Sequence, residues 1–472
     1  MAESASPSLL WTSPLWTSAE IANATGGRVE GAPFQAHGVS IDSREIEPGD
    51  LFVALRVERD GHEFADAALA RGAAAALVSR PVSSGPFIEV GDTLRALERL
   101  GEAARDRATT ARRAAVTGSV GKTSVTQAIA AAIALAGPSH ASVKSYNNHF
   151  GVPLTLARMP RETERAVFEI GMNHAGEITP LSGFVRPHVA VVTVVGPVHV
   201  ENFPDGEIGV ARAKAEIFAG MSAGGVAVLN ADDRWFELLS GAARARGLEV
   251  RTFGAAEGAD ARLTGFVAKD GGALVSAVVG GRPVTLRLAQ NGRHWGSNAL
   301  ATLLAAEALD TPRQAVVEAL ARFAPLAGRG EETRLALPQG EVALIDESYN
   351  ANPVSMRAAL ATLAARKGRG RRIAVLTDML ELSDSASVHA ALAEPLLDAD
   401  VDLAFLAGPD MKALDEALPA GRRGGWRATA DALAPMVVDA LRGGDVVMIK
   451  GSKGSKASHI VEAIKAAAGE TF

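Results

Sequence analysis

The chain has 472 residues, 47% hydrophobic and 22% charged, which is the composition of a globular protein longer than one hydrophobic core usually serves. The formal net charge of -6 argues against a large sequence-independent contact with nucleic acid or anionic lipid, because such contacts need clustered Lys and Arg. The absence of cysteine excludes disulfides, thiolate catalysis and Cys-ligated metal clusters. We therefore expect a multidomain protein that acts on small molecules.

The first 16 residues, MAESASPSLLWTSPLW, lack a basic segment before an apolar run, so they do not predict an export signal. The most apolar stretches, residues 128–136 and 189–200, are too short or too interrupted by His and Pro to cross a bilayer. We expect a cytoplasmic protein without membrane insertion, and we expect it to be a monomer.

Residues 1–110 are predicted to form a small α/β domain. Four short strand-like runs alternate with turn signals there: GVSI, DLFVAL, AALVS and FIEV. One helical stretch, HEFADAALARG, lies between them.

Residues 111–325 are predicted to form a mainly parallel sheet covered by helices. A strand, AAVTG, leads through a glycine-rich turn into a helix over residues 123–136. Further strands are predicted at residues 166–170, 189–195, 226–229 and 248–253. Helical stretches such as GEIGVARAKAEIFAGM separate them, and this alternation is typical of parallel sheets. Residues 261–288 suggest hairpins, and the helix SNALATLLAAEAL closes the region.

Residues 326–472 are predicted to form a Rossmann-like domain after a linker at residues 325–332. We count four strands in it: VALIDESY, RRIAVLTDM, LAFLAG and DVVMIKGS. The intervening helices are SMRAALATLAARKG and residues 387–398, and SHIVEAIKAAAG follows the last strand. No G-x-G-x-x-G run follows the first strand, so dinucleotide binding is not indicated.

The run GSVGKTS at residues 118–124 predicts a phosphate-binding loop. Gly118 and Gly121 permit a tight turn whose backbone N–H groups hold phosphate oxygens at a helix N-terminus. Lys122 then reaches the terminal phosphates, and the Thr123 hydroxyl is suited to ligate Mg²⁺. The run departs from G-x-x-x-x-G-K-[ST], because Val116 occupies the first glycine position. The loop predicts a nucleoside triphosphate and does not identify the acceptor.

Acidic and imidazole side chains follow neighbouring strands of the same predicted sheet. Glu169 ends the run VFE, and His199 and Glu201 follow VVTVVGPV. Carboxyl ends of parallel strands meet at one edge, so we expect these side chains beside the phosphate loop. Lys214, in ARAKAEIF, is by its pattern alone a solvated helical lysine.

Eleven runs in one order resemble the Mur ligases, the ATP-dependent enzymes that extend the cell-wall peptide on a UDP-sugar carrier. They extend over all three predicted domains: SIDSREIEPGDLFVAL with DGHEFADAALARGA, TGSVGKTS, SYNNHFGVPLTL, FEIGMNHAGEI, HVENF, ARAKAEIF, GRHWGSNAL, IDESYNANPVSMRAAL, TDMLELSDSASVHAAL and VVMIKGSKGSK. Within the family, the opening run resembles the two later-acting members, and DESYNANP and DMLEL resemble the last one. The DNPR run typical of the ligase that adds a diamino acid is absent.

The resemblance implies ATP and Mg²⁺ as cofactors, and UDP-N-acetylmuramoyl-tripeptide and D-alanyl-D-alanine as substrates that are joined through an acyl phosphate. It assigns catalysis to Lys122, Lys214, His199 and Arg329. It assigns the nucleotide to Gly118, Ser119, Val120, Gly121, Lys122, Thr123, Ser124, His294, Asn298, Arg329, Asp346 and Tyr349. It assigns the other substrates to Ser43, Arg44, Asn147, Asn148, Asn350, Asn352, Asp378, Lys450 and Ser452. Its metal ligands are Thr123, Glu169, His199 and Lys214, the lysine in carboxylated form.

Two positions depart from the family pattern. Trp295 stands where the family often has Asn, so the adenine contact there is either a stacking contact or lost. Glu347 stands where Asp is usual, which shifts the charge by a methylene. From the residues alone, Asp378 and Glu381 could equally be solvated loop acids, and Arg44 could form a surface salt bridge in a turn.

Other activities stay open at this point. One is another member of the superfamily, either the ligase that adds the diamino acid or a folylpolyglutamate synthase. Another is a nucleotide switch that binds partners without making bonds, although that reading leaves the NANP and KGS runs unexplained.

Overall fold

The computed structural model describes residues 14–143, 145–269, 271–366, 370–382 and 384–469. These residues form three sheets of five, nine and six strands and one two-stranded ribbon. Residues 1–13, which hold most of the segment considered for export, lie outside the described residues. Within the described ranges no helix is both long and apolar enough to cross a membrane. The predicted α/β class with three sheet-centred regions is confirmed.

The first sheet has the order β2-β7-β6-β5-β4, and its strands are parallel except for β2. Its region comprises β1 (Trp16–Thr17), α1 (Ser18–Thr25), β2 (Arg28–Glu30), β3 (Gln35–Ala36), β4 (Gly38–Ser40), β5 (Asp50–Val53), α2 (Ala65–Ala70), β6 (Ala75–Val78), β7 (Phe87–Glu89) and α3 (Thr93–Arg107). The four strands predicted here are β4, β5, β6 and β7. The predicted helix corresponds to a 3₁₀ turn, Gly61–Phe64, that continues into α2.

The second region begins with the phosphate-loop strand. It comprises β8 (Arg112–Thr117), α4 (Lys122–Ala134), β9 (Ser139–Ala141), α5 (Gly151–Ala157), β10 (Arg165–Glu169), α6 (Ile178–Val185), β11 (Val189–Val192), α7 (Glu207–Ala215), β12 (Val226–Asn230), α8 (Phe236–Ala245), β13 (Glu249–Gly254), β14 (Ala261–Lys269), β15 (Gly272–Val279), β16 (Arg282–Leu288), α9 (His294–Ala308) and α10 (Arg313–Arg322). The predicted hairpins correspond to β14, β15 and β16, which pair antiparallel.

The nine strands follow the order β16-β15-β14-β13-β12-β11-β8-β10-β9, with β8 parallel to both of its neighbours. Successive residues of β8 enter opposite cores. Ala114 and Val116 pack with α4 and α9, and Ala115 packs with α5 and α6. Helices therefore cover both faces, which is why these strands are continuously apolar. This arrangement places the ends of β8, β10 and β11 side by side.

The third sheet has the order β17-β18-β22-β19-β20-β21. Its region comprises β17 (Glu331–Leu337), β18 (Gly340–Glu347), α11 (Pro353–Ala364), β19 (Arg372–Thr377), α12 (Ser385–Ala390), α13 (Ala393–Asp398), β20 (Leu403–Ala407), α14 (Met411–Ala417), β21 (Arg423–Arg427), α15 (Ala430–Ala440), β22 (Val446–Lys450) and α16 (Ala457–Gly469). Strand β17 is antiparallel to β18, and the other strands pair in parallel.

Three sequence predictions in this region were wrong. The sheet has six strands instead of four, because the edge strands β17 and β21 are rich in charge or glycine and are held by pairing to β18 and β20. The predicted linker at residues 325–332 already enters β17 at Glu331. The single helix predicted over residues 387–398 is two helices, α12 and α13, because Pro395 has no N–H and would clash with the preceding turn of a continuous helix.

Two partly buried histidines make the stability of this fold depend on pH. Burial lowers the pKa of His140 to about 4, and burial together with Arg113 and Arg112 lowers that of His188 to about 4. His188 Nδ1 accepts the backbone N–H of Arg113 at 3.0 Å, which it cannot do when protonated. The unfolded chain thus binds protons that the folded chain excludes between pH 6.5 and 4.

We predict that the free energy of unfolding falls as pH decreases through this window. His188→Asn keeps an acceptor for Arg113 but does not titrate, so it should lose part of the dependence. Urea unfolding midpoints at pH 7 and 5 measure the effect for both proteins. An identical pH dependence in the variant would contradict the role given to His188.

Candidate active site

The glycine-rich turn between β8 and α4 has a backbone that only glycine fits. Gly118 has φ 148° and Gly121 has φ 86°, both in the region that disfavours side chains. A Cβ on Gly118 would lie 1.9 Å from Thr193 Oγ1. The turn ends at Gly121, directly before the first residue of α4, so unpaired N–H groups of the helix face the turn.

Neighbouring residues hold this turn against the end of β11. The Ser119 backbone N–H donates to Val194 O at 2.7 Å, and its hydroxyl both donates to and accepts from the Gly196 backbone at 3.0 Å. Thr193 Oγ1 donates to Val120 O at 2.6 Å. These bonds therefore fix the conformation of the loop.

Lys122 folds back over this loop. Its ammonium group donates to Gly118 O at 2.8 Å. Burial lowers the pKa of Lys122, while Glu169 raises it and Arg329 lowers it further. A cation held in this way, above backbone N–H groups, suits the terminal phosphates of a nucleotide.

Glu169, at the end of β10, presents a buried carboxylate with an unused oxygen. It is 1% exposed, and its Oε1 accepts from Asn147 Nδ2 at 2.7 Å. Its Oε2 is buried without a hydrogen-bond partner among the described residues. An orphaned carboxylate oxygen is costly unless a cation or donor is supplied. Together with the nearby Thr123 hydroxyl it offers the hard oxygen ligands that Mg²⁺ prefers.

A metal held by protein ligands alone is not indicated, because no group of three His, Asp or Glu suited to a metal occurs among the described residues. Mg²⁺ usually keeps waters and phosphate oxygens, so one carboxylate and one hydroxyl are enough protein ligands. His199 lies near this charge cluster, since Lys122 and Lys214 both lower its pKa after burial does. Its Nδ1 is 3.2 Å from Glu381 Oε2.

Lys214 lies in the last turn of α7 and is buried, with 2% of its surface exposed. The prediction from its sequence pattern alone, a solvated lysine, was wrong. Its ammonium group has no hydrogen-bond or ion-pair partner within the described ranges. Burial, followed by the charge of Lys122, lowers its pKa well below the ordinary value. A neutral amine in this position is a nucleophile.

A cavity of about 400 Å³ lies between the phosphate loop with Glu169 on one side and the third region on the other. The predicted residues that line it are Ser119, Val120, Gly121, Lys122, Thr123, Ser124, Asn147, Glu169, His294, Asn298, Arg329, Tyr349, Asn350, Asn352 and Lys450. Residues of the glycine-rich loop and of α4 therefore share one site with residues that follow β18, although more than 200 positions separate them in sequence.

Other predicted residues do not line this cavity: Ser43, Arg44, Asn148, Gly118, His199, Lys214, Asp346, Asp378 and Ser452. Ser43 and Arg44 lie in a 3₁₀ turn of the first region. The Arg44 side chain is 85% exposed and its Nη2 lies 2.6 Å from Asp42 Oδ2, as in the surface salt bridge considered from the sequence.

Four of these residues bond to nearby backbone or hydroxyl groups. Asn148 Oδ1 accepts from Gly151 N–H at 2.9 Å, and Asp346 Oδ1 accepts from the Ser348 hydroxyl at 2.6 Å. Asp378 Oδ1 accepts from Met411 N–H at 2.9 Å, and burial raises the pKa of Asp378. Ser452 Oγ accepts from Leu380 N–H at 3.0 Å. Asp378 is 4% exposed, so it is not a solvated loop acid, whereas the Glu381 side chain is 64% exposed.

The structure shows what surrounds Trp295 and Glu347, the two residues that depart from the family pattern. Trp295 is 4% exposed and packs against Phe323 with ring centroids 5.7 Å apart, so most of the indole belongs to the core. Glu347 Oε2 lies 3.3 Å from the ammonium group of Lys450. The longer acid therefore has a defined partner.

Ser145 and Thr193 line the cavity and were not identified from the sequence. Tyr349 Oη donates to Ser145 Oγ at 2.8 Å, and Ser145 Oγ is 3.4 Å from Thr123 Oγ1. The Arg329 guanidinium lies 4.0 Å from the centroid of the Tyr349 ring. Ser145 begins the quoted SYNNHF run, which was the available signal. Nothing in the apolar sequence around Thr193 distinguished its hydroxyl.

A parallel sheet with a glycine loop at a helix N-terminus, a lysine folded over that loop and an orphaned carboxylate beside it defines an enzyme that binds a nucleoside triphosphate. Three family descriptions match successive parts of the chain: "Mur ligase family, catalytic domain" at residues 35–107, "Mur ligase middle domain" at 116–306 and "Mur ligase, glutamate ligase domain" at 328–453.

Individual relatives match nearly the whole chain. The UDP-N-acetylmuramoyl-tripeptide--D-alanyl-D-alanine ligase of Escherichia coli K12 is 33% identical over 454 residues, 95% of this chain and 98% of that protein. The structure of MurF from Acinetobacter baumannii superposes with a TM-score of 0.83 at 28% identity, over 96% of this chain and 99% of that one. MurF from Thermotoga maritima, solved in complex with ADP, shares the fold at a TM-score of 0.75 and 23% identity, over 92% and 98%. The chain belongs to the Mur ligase family.

We predict that Tyr349→Phe weakens ADP binding about 2- to 10-fold, the loss expected for one hydrogen bond between uncharged groups. The ring under Arg329 stays, so only the bond to Ser145 is lost. Isothermal titration with ADP measures the effect.

Ser145→Ala should give a similar loss, and the double variant should lose little more than either single variant. Losses that add fully in the double variant would show that the two hydroxyls act separately.

Proposed function

We propose that the protein joins D-alanyl-D-alanine to UDP-N-acetylmuramoyl-tripeptide, with conversion of ATP to ADP and phosphate, in the cytoplasm. The near full-length similarity to the E. coli ligase supports this reaction over the diamino-acid and folylpolyglutamate alternatives. The observation that carries most weight is the cavity in which the phosphate loop faces residues of the third region. A nucleotide switch would not need such a second face.

Chemistry explains why a ligase requires ATP. Amine attack on a carboxylate would have to expel an oxide, so the carboxylate oxygen first attacks the γ-phosphorus and ADP leaves. The neutral amine of the dipeptide then attacks the acyl carbonyl carbon, phosphate leaves, and the nitrogen loses a proton. Positioning and charge neutralisation are the main contributions that a protein makes to phosphoryl transfer.

Residues of the chain are suited to these steps. Lys122 would hold the β and γ phosphates above the backbone N–H groups of the loop, and Arg329 would approach them from the third region. His294 and Asn298 lie at the start of α9, on the side that we assign to the nucleoside. Packing of α11 against the central region would exclude water from the acyl phosphate.

Mg²⁺ fits the oxygen ligands beside the loop. Thr123 and the unpaired Glu169 oxygen would hold one ion, and His199 would contribute to a second. Bound there, Mg²⁺ would neutralise charge that develops on the transferring phosphoryl group. Asn147 orients the carboxylate by donating to its other oxygen.

Lys214 is proposed to react with CO₂ and form a carbamate. Only a neutral amine attacks CO₂, and burial favours the neutral form of this amine by lowering its pKa. The amine nitrogen bonds to the carbon of CO₂ and releases a proton, and the anionic product suits a site near Lys122, His199 and Mg²⁺.

The three regions are proposed to divide the substrates. Residues 1–110 would bind the UDP moiety through Ser43 and Arg44, residues 111–325 would bind ATP, and residues 326–472 would bind the dipeptide. Asn147, Asn148, Asn350, Asn352, Asp378, Lys450 and Ser452 would surround the peptide substrates. We propose a monomer as the active form.

The direct test is release of ADP by the purified protein. We predict release that depends on UDP-tripeptide and D-alanyl-D-alanine together, with a product heavier by the dipeptide in mass spectrometry. Slow release that is indifferent to both substrates would contradict the ligase and favour a switch. ADP release that depends on glutamate or on a diamino acid instead of the dipeptide would indicate another member of the superfamily.

Lys214→Ala should reduce kcat about 10- to 100-fold, the range for losing a group that orients metal ligands. The unmutated protein should lose activity when bicarbonate is depleted and regain it on readdition. The variant should not respond to bicarbonate. Unchanged kcat in Lys214→Ala would remove the carbamate from the mechanism.

A further inference from the structure

The carboxyl ends of β18 and β22 place an acid and a lysine side by side. The two strands are parallel, and Glu347 is the register partner of Lys450. Lys450 Nζ donates to Glu347 Oε2 at 3.3 Å and to the carbonyl of Asn350 at 3.0 Å. The Lys450 side chain is 3% exposed and that of Glu347 is 20% exposed. This pair is not a solvated surface contact.

An ammonium group has three N–H donors and no acceptor. Two donors of Lys450 are used by Glu347 and Asn350, and no described residue accepts the third. Both Glu347 and Lys450 line the cavity that contains the phosphate loop. With two donors fixed at known acceptors, the direction of the third is fixed as well.

We propose that Glu347 is a positioning residue, which holds Lys450 so that its third N–H meets an anionic oxygen of a ligand bound in the cavity. The inference rests on the proposed function, because that function supplies the anions. Two sources have the required chemistry: a phosphate oxygen of the nucleotide or acyl phosphate, and the carboxylate of the dipeptide. Glu347 acts through Lys450 and does not itself touch the ligand.

The length of the side chain decides whether this contact exists. An aspartate at this position would retract the carboxylate by about one C–C bond, roughly 1.5 Å, and so lose a 3.3 Å contact. Gly330 makes room for the longer acid, since a Cβ there would lie 3.3 Å from Glu347 Oε1. Gly330 has φ 90°, a conformation that other residues rarely adopt. The glutamate and the glycine therefore fit together.

The charges of Glu347 and Lys450 both influence His294, on the nucleotide side of the cavity. Burial lowers the pKa of His294, the charge of Glu347 raises it, and the charge of Lys450 lowers it. Removal of Glu347 alone would leave Lys450 as a buried cation without a carboxylate partner among the described residues. Such an ammonium group would turn towards another acceptor, and its third N–H would no longer point at the ligand oxygen.

The test is a set of variants analysed by steady-state kinetics and by binding. Glu347→Gln should raise KM about tenfold for the substrate that carries the oxygen, with a smaller change in kcat, while the unfolding midpoint stays within error. Glu347→Asp should resemble Glu347→Gln, since it keeps the charge and loses the reach. Wild-type kinetics in Glu347→Gln would overturn the proposal, and so would full activity in Glu347→Asp.

Lys450→Met provides the decisive background. If Glu347 acts through Lys450, then Glu347→Gln should change nothing further in Lys450→Met protein. An equally large effect in both backgrounds would assign Glu347 an independent role and contradict the inference. Glu341→Gln is the matched control, because Glu341 lies on the same strand in an exposed ion pair with Arg334 and should leave KM unchanged.

Binding measurements distinguish the two possible sources of the anionic oxygen. They also distinguish failure of this inference from failure of the proposed function. Titrations use ADP, a non-hydrolysable ATP analogue and D-alanyl-D-alanine. Loss of affinity for the ATP analogue alone identifies the γ-phosphate side, and loss for the dipeptide alone identifies its carboxylate. Wild-type protein that binds these ligands yet releases no ADP with both substrates would refute the proposed function and leave the role of Glu347 testable by affinity. Unchanged affinity in Glu347→Gln for every ligand would refute that role.

Discussion

Buried charge without a matched partner is the constraint on which the site depends. Lys214 is buried close enough to Lys122 for that charge to lower its pKa, and Glu169 has a buried oxygen with no donor among the described residues. Leaving such charges in a poorly solvated site costs several kcal/mol each, and the rest of the fold must offset that cost. A polyanionic ligand with its cations would remove the imbalance.

Rigid surroundings make this imbalance useful. Ser119 and Thr193 tie the phosphate loop to the end of β11, and Asn147 fixes one oxygen of Glu169. Because these bonds fix the loop and the carboxylate within the protein, little reorganisation is needed when phosphates bind. The third region adds Arg329, Tyr349 and Lys450 from a separate sheet, so a complete site requires that two sheets be packed together.

The sequence was a good guide wherever a local pattern determines structure. Continuous apolar strands followed by helices predicted the parallel sheet, and the glycine spacing predicted the turn at Gly118 and Gly121. Glu169 was found because the ends of parallel strands must meet. By contrast, β17 and β21 are strands because they pair with a neighbour at the edge of the sheet. Their sequences contain no long apolar run from which a strand could be predicted. The burial of Lys214 was equally invisible, because α7 has no continuous apolar face in its sequence. Its importance came from the family resemblance.

Side chains that bond to the backbone or hydroxyl groups of the protein itself were the other limit. Asn148, Asp346 and Ser452 belong to runs that resemble the family, yet here each bonds to nearby backbone or hydroxyl groups. A sequence run reports which residues occur together and does not separate those that shape a loop from those that touch a ligand. Glu347 shows the reverse case. Its departure from the usual aspartate had no meaning until the pairing of β18 with β22 placed Lys450 beside it.

The hydroxyl contact between Tyr349 and Ser145 has a consequence for turnover. It joins two sheets through residues 204 positions apart. A bond between uncharged groups is worth about 0.5–1.5 kcal/mol net, which is a bias of only about two- to twelvefold between joined and separated arrangements. Thermal motion can break a bond of this strength, so the contact favours the joined arrangement of the two sheets without making it permanent.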